Sequence, residues 1–235
     1  MIPRKIHYCW FGGQPMGKLE RRCAASWSRF CPGYEIILWN ETNSPVHDND
    51  YVKQAYQMKK WAFVSDYVRL KLLSEYGGIY LDTDVELLKS LDQFTGQAGF
   101  LGLESRENVA TCVIGCVPGH PFFSWAASLY DRRYFRLADG SCDSTTNTTW
   151  LTDILLQRGL RQDGLVQNIS NMTIYPPDVF CPLDLQSGKL YLTERSAAIH
   201  HFAGSWMTPK QRFHTKIAQH IGIENTRKLK KLLRR

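Results

Sequence analysis

The stretch FVSDYVRLKLLSEYGGIYLDTDVELL, residues 63–88, constrains the fold more than any other. Apolar residues Phe63, Val64, Tyr67, Val68, Leu70, Leu72 and Leu73 give Trp61 to Tyr76 a wide helical face, and Gly77 is a natural helix stop. The chain then enters Ile79-Tyr80-Leu81, a short apolar run that reads as a buried strand, and meets Asp82 and Asp84. Strand alternation puts Tyr80, Asp82 and Asp84 on one face. Two carboxylates aimed at one spot repel unless a positive group stands between them, so the stretch asks for a cation.

The same grammar extends to both sides. KIHYCWFGG reads as a first strand ended by Gly12-Gly13, Leu19 to Phe30 as a helix broken by Pro32-Gly33, and Tyr34 to Trp39 as a second strand. Val52 to Met58 is helical, Gly99 to Leu103 and Val109 to Val117 are strands, and Pro121 to Tyr130 and Trp150 to Arg158 are helices. Residues 136–149 are polar and read as a loop over a site, and residues 170–206 as short strands and turns. Strand, helix, strand in succession implies an α/β domain with a largely parallel sheet. Ligands bind such sheets at the carboxyl ends of the strands, where Trp10 to Gly13, Trp39-Asn40 and Asp82 to Asp84 all lie.

Charge divides the chain in two. Residues 209–235 hold nine Lys/Arg and one acid, a balance of +8, while residues 1–208 hold twenty basic and twenty-one acidic residues, a balance of −1. The expected organisation is therefore a body, 1–208, with a basic tail, 209–235, whose apolar residues 213, 217, 221, 229, 232 and 233 have helical spacing. A neutral body argues against nucleic acid as a partner. A solvated basic helix is the plain reading of the tail; an anionic membrane surface is the sharper one. No apolar run is long enough to span a bilayer, and MIPRKIHYCWF lacks the pattern of a signal peptide, so the expected location is cytoplasmic, peripheral to the inner face of the membrane. Seven cysteines, odd in number and without a C-x-x-C pair, are expected as free thiols, with Cys112 and Cys116 in apolar packing rather than on a metal.

A D-x-D tripeptide occurs by chance in many proteins, and its plain reading is a strand end with solvated acids. Here a hard divalent cation, Mn²⁺ or Mg²⁺, would relieve the repulsion and bridge to a diphosphate. Asp66 and Arg69 share a helix face; a surface ion pair is the plain alternative to a role at the site. In AIHHFAGSW, residues 198–206, one histidine can pack in the core while the other supplies a metal ligand, and Gly204-Ser205-Trp206 can approach a phosphate. Trp10 is either a core aromatic or a platform for a flat base.

IPRKIHYCWFGG, YEIILWN, the S-D-x-x-R…Y-G-G-x-Y-x-D-x-D combination over residues 65–84 and IHHFAGSW together resemble the signature blocks of glycosyltransferase family 32, relatives of the clostridial toxin glucosyltransferases. The likeness is close over residues 2–91 and 197–206 and loose between them. It implies a GT-A fold with a mixed central sheet, a nucleotide-sugar donor, a divalent metal and retention of configuration. Trp10 would stack on the uracil of a UDP-hexose, Asp66 and Arg69 would bind the sugar and nearby phosphate, and Tyr80 would line the donor site. Asp82 would touch the ribose or sugar and help hold the metal, Asp84 would bind it directly, and His201, three residues before Gly204, would complete its shell in preference to His200. Ser205 and Trp206 would bind the leaving diphosphate and glycosidic oxygen, and Asn40 or Asn43 would contact the base. The implied acceptor is a hydroxyl of a glycan or glycolipid in bacterial surface polysaccharide synthesis.

Two other classes compete. A haloacid-dehalogenase-like phosphatase would use Asp82 as nucleophile, but that motif sits near the N-terminus of its class and needs a later acidic block that this chain lacks. A basic-tailed adaptor without enzymatic activity would bind membrane or nucleic acid; clustered acids in a neutral body speak against it.

Overall fold

The computed structural model describes residues 1–185 and 187–204. β1 (Lys5–Cys9), α1 (Lys18–Phe30) and β2 (Glu35–Trp39) are followed by two consecutive helices, α2 (Asp50–Gln57) and α3 (Trp61–Tyr76). Then come β3 (Gly78–Leu81), β4 (Val85–Leu87), β5 (Gly99–Leu103), β6 (Val109–Cys116) and α4 (Pro121–Ser128). α5 (Asn147–Gln157), β7 (Gln167–Ile169), β8 (Met172–Tyr175), α6 (Pro177–Phe180) and β9 (Ala198–His200) complete the described chain.

Seven strands form one sheet in the order β2-β1-β3-β6-β5-β8-β7, and β4 pairs with β9 in a separate two-stranded sheet. The pairs β1–β2, β1–β3 and β5–β8 are parallel, whereas β3–β6, β5–β6 and β7–β8 are antiparallel. The sheet is thus mixed rather than largely parallel. Residues 104–108 join β5 to β6, and so short a link makes a hairpin but cannot make a parallel crossover.

Apolar side chains pack on both faces. One core gathers Val64, Val68, Leu72 and Tyr80 with residues of α2, α4 and α5; the other gathers Ile6, Ile79 and Leu81 with α1 and α6. The alternation of Ile79, Tyr80 and Leu81 between the cores is that of a strand buried on both faces. α3 is buried nearly all round, Asp66 and Arg69 included. Gly77 stops it at φ +60°, where an added Cβ would meet the Pro118 nitrogen at 2.6 Å. α5 begins three residues earlier than apolar periodicity predicts, because Thr146 caps it by accepting from the Thr149 amide, so residues 147–149 are helix rather than loop.

β4 and β9 are only three residues each, yet both sides of β4 are satisfied. β9 takes one edge, and on the other Trp27 Nε1 donates to Val85 O at 2.8 Å while Ser26 Oγ accepts from the Leu87 amide at 2.9 Å.

Candidate functional site

A cavity of about 660 Å³ opens at the carboxyl ends of β1 and β3, where the strand-end argument places it. Trp10, Asp66, Arg69, Tyr80, Asp82 and Asp84 all line it.

Arg69 organises its floor. The side chain is buried, and Nη2 lies 3.2 Å from Asp66 Oδ1 and 3.0 Å from Asp82 Oδ1. Nη1 donates to Thr111 O at 2.9 Å, to Thr111 Oγ1 at 3.1 Å and to Asp82 Oδ2 at 3.3 Å, and Nε donates to Ser65 O at 3.2 Å. The guanidinium also lies over the Tyr80 ring, 4.6 Å from its centroid, and the Tyr80 hydroxyl donates to Asp82 Oδ1 at 3.2 Å. Nε and Nη1 thus donate within the protein, and Nη2 is ion-paired to both carboxylates. Arg69, expected at the sugar and phosphate, lines the cavity and also holds the Asp82 carboxylate. The Asp66–Arg69 pair is a buried network, not a solvated surface pair.

Asp66 is held from the other side by Asn147, whose amide donates to Oδ2 at 3.1 Å and whose Nδ2 donates to the Asp66 carbonyl at 2.7 Å. Burial raises the Asp66 carboxyl above its ordinary value, while Arg69 and the Asn147 amide oppose the shift. Asn147 is fully buried and accepts from the Tyr130 hydroxyl at 2.5 Å.

The two acids of the motif do not lie on one strand. β3 ends at Leu81, and residues 82–84 form a turn in which the Val85 amide donates to Asp82 O at 3.0 Å. The turn carries the chain from the large sheet to the small one. Each acid then meets its own cationic partner: Asp82 faces Arg69, and Asp84 Oδ1 lies 3.4 Å from His200 Nε2. Asp84 Oδ2 also accepts from the Ala203 amide at 2.7 Å. Phe202, at φ +49°, adopts a left-handed conformation rare for a bulky residue in turning the chain there. Burial works to raise Asp84, but His200 and the Ala203 amide outweigh it and hold the carboxyl down at about 2. Against burial, which favours the neutral ring, Cys112 and Asp84 raise His200 well above its ordinary value.

The structure separates the two histidines. His201, expected at the metal, has Nε2 at 2.8 Å from Glu86 Oε2 and 3.2 Å from Arg22 Nη2. His200 instead brings a ring nitrogen to Asp82 and Asp84, the three ligand atoms lying within 4.8 Å of one another. The reason is register: Val85 pairs with His200 across the small sheet, and successive side chains on a strand point to opposite faces.

Trp10 lines the cavity with Nε1 donating to Gln14 O at 2.5 Å. Asn40 and Asn43 do not line it; they close their own loop, with Asn43 Oδ1 accepting from the Asn40 amide and Asn40 Oδ1 from the Thr42 amide, each at 2.9 Å. Ser205, Trp206 and the 209–235 tail lie outside the described residues. Sequence reasoning missed Thr111, Asn147 and Glu104. Glu104 lines the cavity, and burial raises its carboxyl while His200 lowers it. Its setting after an apolar strand, as for the two motif acids, was a signal that could have found it. Cys116 packs as expected, donating to Leu73 O at 3.3 Å. Cys112 belongs to the opposite core, because the β5–β6 register shifts between Leu101 and Gly102.

Residues 17–101, which include this turn and the α3 network, match the family model described as the glycosyltransferase sugar-binding region containing a DXD motif. Over that segment the chain is similar to that family. An uncharacterized glycosyltransferase of Acanthamoeba polyphaga mimivirus is 28% identical over 159 residues, 63% of this chain and 61% of the relative. A mannosyl phosphorylinositol ceramide synthase of Saccharomyces cerevisiae is 36% identical over 100 residues, 39% of this chain and 26% of the relative. The chain therefore spans less than two thirds of the length of these relatives. A solved glycosyltransferase involved in the glycosylation of the major capsid of PBCV-1 superposes with TM-score 0.49 at 12% identity, over 90% of this chain and 98% of that one.

Proposed function

We propose that the protein is a retaining glycosyltransferase that moves a hexose from a nucleoside diphosphate sugar, UDP-linked, to a hydroxyl of a glycan or glycolipid acceptor. The observation that carries this reading is the convergence of Asp82, Asp84 and His200, within 4.8 Å, in a cavity of a size that holds a nucleotide sugar. Two carboxylates and an imidazole fit a divalent cation, and the nitrogen suits Mn²⁺ better than Mg²⁺. When bound there, such an ion supplies charge stabilisation to the leaving diphosphate.

The remaining work falls to the chain. Trp10 offers a platform for the base, and Asp66 an acceptor for a sugar hydroxyl. Arg69 and Tyr80 hold the Asp82 carboxylate in one orientation, which removes the cost of reorganising it during the reaction. Both Asp82 oxygens are engaged by these two residues, which disfavours Asp82 as a covalent nucleophile and with it the phosphatase reading. Transfer then runs on one face of the sugar. The anomeric carbon's bond to the diphosphate oxygen breaks, the bond to the acceptor oxygen forms, and the acceptor proton passes to the departing diphosphate. Ser205 and Trp206 are assigned to that diphosphate from sequence.

The yeast relative's name makes mannose the first alternative hexose and a phosphoinositol lipid the first alternative to a bacterial surface glycan. The basic stretch 209–235 is assigned to an anionic membrane surface on the cytoplasmic side, which would bring the site near a lipid-linked acceptor. Hydrolysis and transfer from a panel of UDP- and GDP-sugars with Mn²⁺ test the reading. Asp84→Ala should lower the rate at least about 100-fold; a variant as fast as wild type would sink the assignment.

A further inference from the structure

His200 belongs to a second cluster as well. Cys112 Sγ lies 3.5 Å from Cys181 Sγ, and these two sulfurs and a ring nitrogen of His200 lie within 4.8 Å of one another. The three residues come from β6, the end of α6 and the end of β9, so three separate elements converge on one point. Both cysteines are buried free thiols. His200 Nδ1 is buried without a hydrogen-bond partner. A polar atom left in that state normally has a ligand or a cost to explain.

We propose that Cys112, Cys181 and His200 form a second cation site, for a thiophilic divalent ion of the Zn²⁺ class, and that it shares His200 with the acid pair. The spacing fits. Two sulfurs each about 2.3 Å from one ion at a tetrahedral angle stand about 3.8 Å apart, close to the separation of the two thiols. Thiolate and imidazole ligands select Zn²⁺ over Mn²⁺ and Mg²⁺, whereas the carboxylate pair next door has the opposite preference. Cys112 and His200 line the cavity, which provides an entry path and a water for the fourth position. Binding breaks two S–H bonds and the N–H bond on the ligating nitrogen of His200, forms two S–metal bonds and one N–metal bond, and releases three protons to solvent. Two thiolates then neutralise the ion, which is what a buried site requires.

A neutral imidazole has one lone pair to give. An ion on the thiolates therefore takes His200 from Asp82 and Asp84, and the two sites exclude one another. The sharing rests on the proposed use of His200 at the acid pair; the thiolate site does not.

Cobalt(II) titrated into the reduced full chain tests the thiolate site without any turnover. Wild type should show a sulfur-to-cobalt charge-transfer band that saturates at one equivalent and is displaced by Zn²⁺. The band should vanish in Cys181→Ala and in Cys112→Ala, whichever of these keeps a wild-type near-ultraviolet dichroism spectrum, and persist in Asp84→Asn. A folded wild type without the band overturns the proposal. Bound Mn²⁺, followed by electron paramagnetic resonance, should be released as Zn²⁺ is added to wild type but retained in Cys181→Ala; co-binding of both ions overturns the sharing. Failure of Mn²⁺ to bind at all would count against the acid-pair reading and leave the cobalt result standing by itself.

Discussion

Arg69 donates from Nε and Nη1 to Ser65, Thr111 and Asp82, and its Nη2 pairs with Asp66 and Asp82. Such a network is worth most as geometry: removing one member leaves the others buried and unpaired. Arg69→Ala should lower unfolding free energy in urea by about 3–5 kcal/mol. Arg69→Lys should recover less than half of that, because an ammonium cannot serve Asp66, Asp82 and Thr111 from one planar fork; a loss below about 1 kcal/mol in either variant would refute the network role. At this scale the sequence showed part of the site. Asp66, Arg69, Tyr80 and the two acids were legible because they sit at fixed spacings beside a strong apolar pattern. Asn147 was not, since it reaches Asp66 from the start of a helix whose first residues, Asn147-Thr148-Thr149, are as polar as the loop before them. Nor could sequence choose between adjacent histidines, which only the pairing of Val85 with His200 decides.

At the scale of elements, the joint between α3, β1 and β3 depends on one ring. His7 is fully buried, with Nε2 donating to Gly77 O at 2.9 Å and Nδ1 accepting from Trp39 Nε1 at 3.0 Å. The Trp39 contact needs the neutral form, because a protonated Nδ1 would face the Trp39 N–H. Burial lowers the His7 pKa from its ordinary 6.5, with Lys5 acting the same way and the Gly77 carbonyl and Glu35 against it. The unfolded chain therefore binds this proton first as pH falls. The contribution of His7 is complete above about pH 6.5 and is lost below it, at up to about 1.4 kcal/mol per pH unit, until the folded protein also protonates. Urea unfolding of wild type between pH 7 and 5 should show this decline, and His7→Gln should flatten it; equal slopes would reject the assignment. The limits of α3 were legible to the residue because apolar periodicity and Gly77 agree. The β4–β9 sheet was not: three residues per strand carry too little pattern, and the alternation drawn through Asp82 and Asp84 fails where the chain turns at residues 82–84.

Over the whole molecule, charge and site are separated. Residues 1–208 have a balance of −1 and residues 209–235 one of +8, so the proposed attachment and the candidate site fall on different parts of the sequence. Full-length protein should sediment with vesicles rich in anionic lipid at low salt and lose that binding at high salt, while a chain ending at Met207 should not bind; equal binding by both would remove the tail from the account. No helix among the described residues is long and apolar enough to cross a membrane.

The turn that leaves the main sheet also governs how the fold ages. Asp84 Oδ2 accepts the amide of Ala203, a residue 119 positions away, and His200 stands beside the same carboxylate. An ion gripped by both closes a very long loop, and closing long loops is where a clip removes most freedom from the unfolded chain. Affinity for the cation is thus also resistance to unraveling. At a hundredfold excess over its dissociation constant, Mn²⁺ should add about 2.7 kcal/mol to unfolding, seen as a higher melting temperature that Asp84→Asn abolishes. On the proposed reading, a protein starved of metal would be short-lived as well as idle.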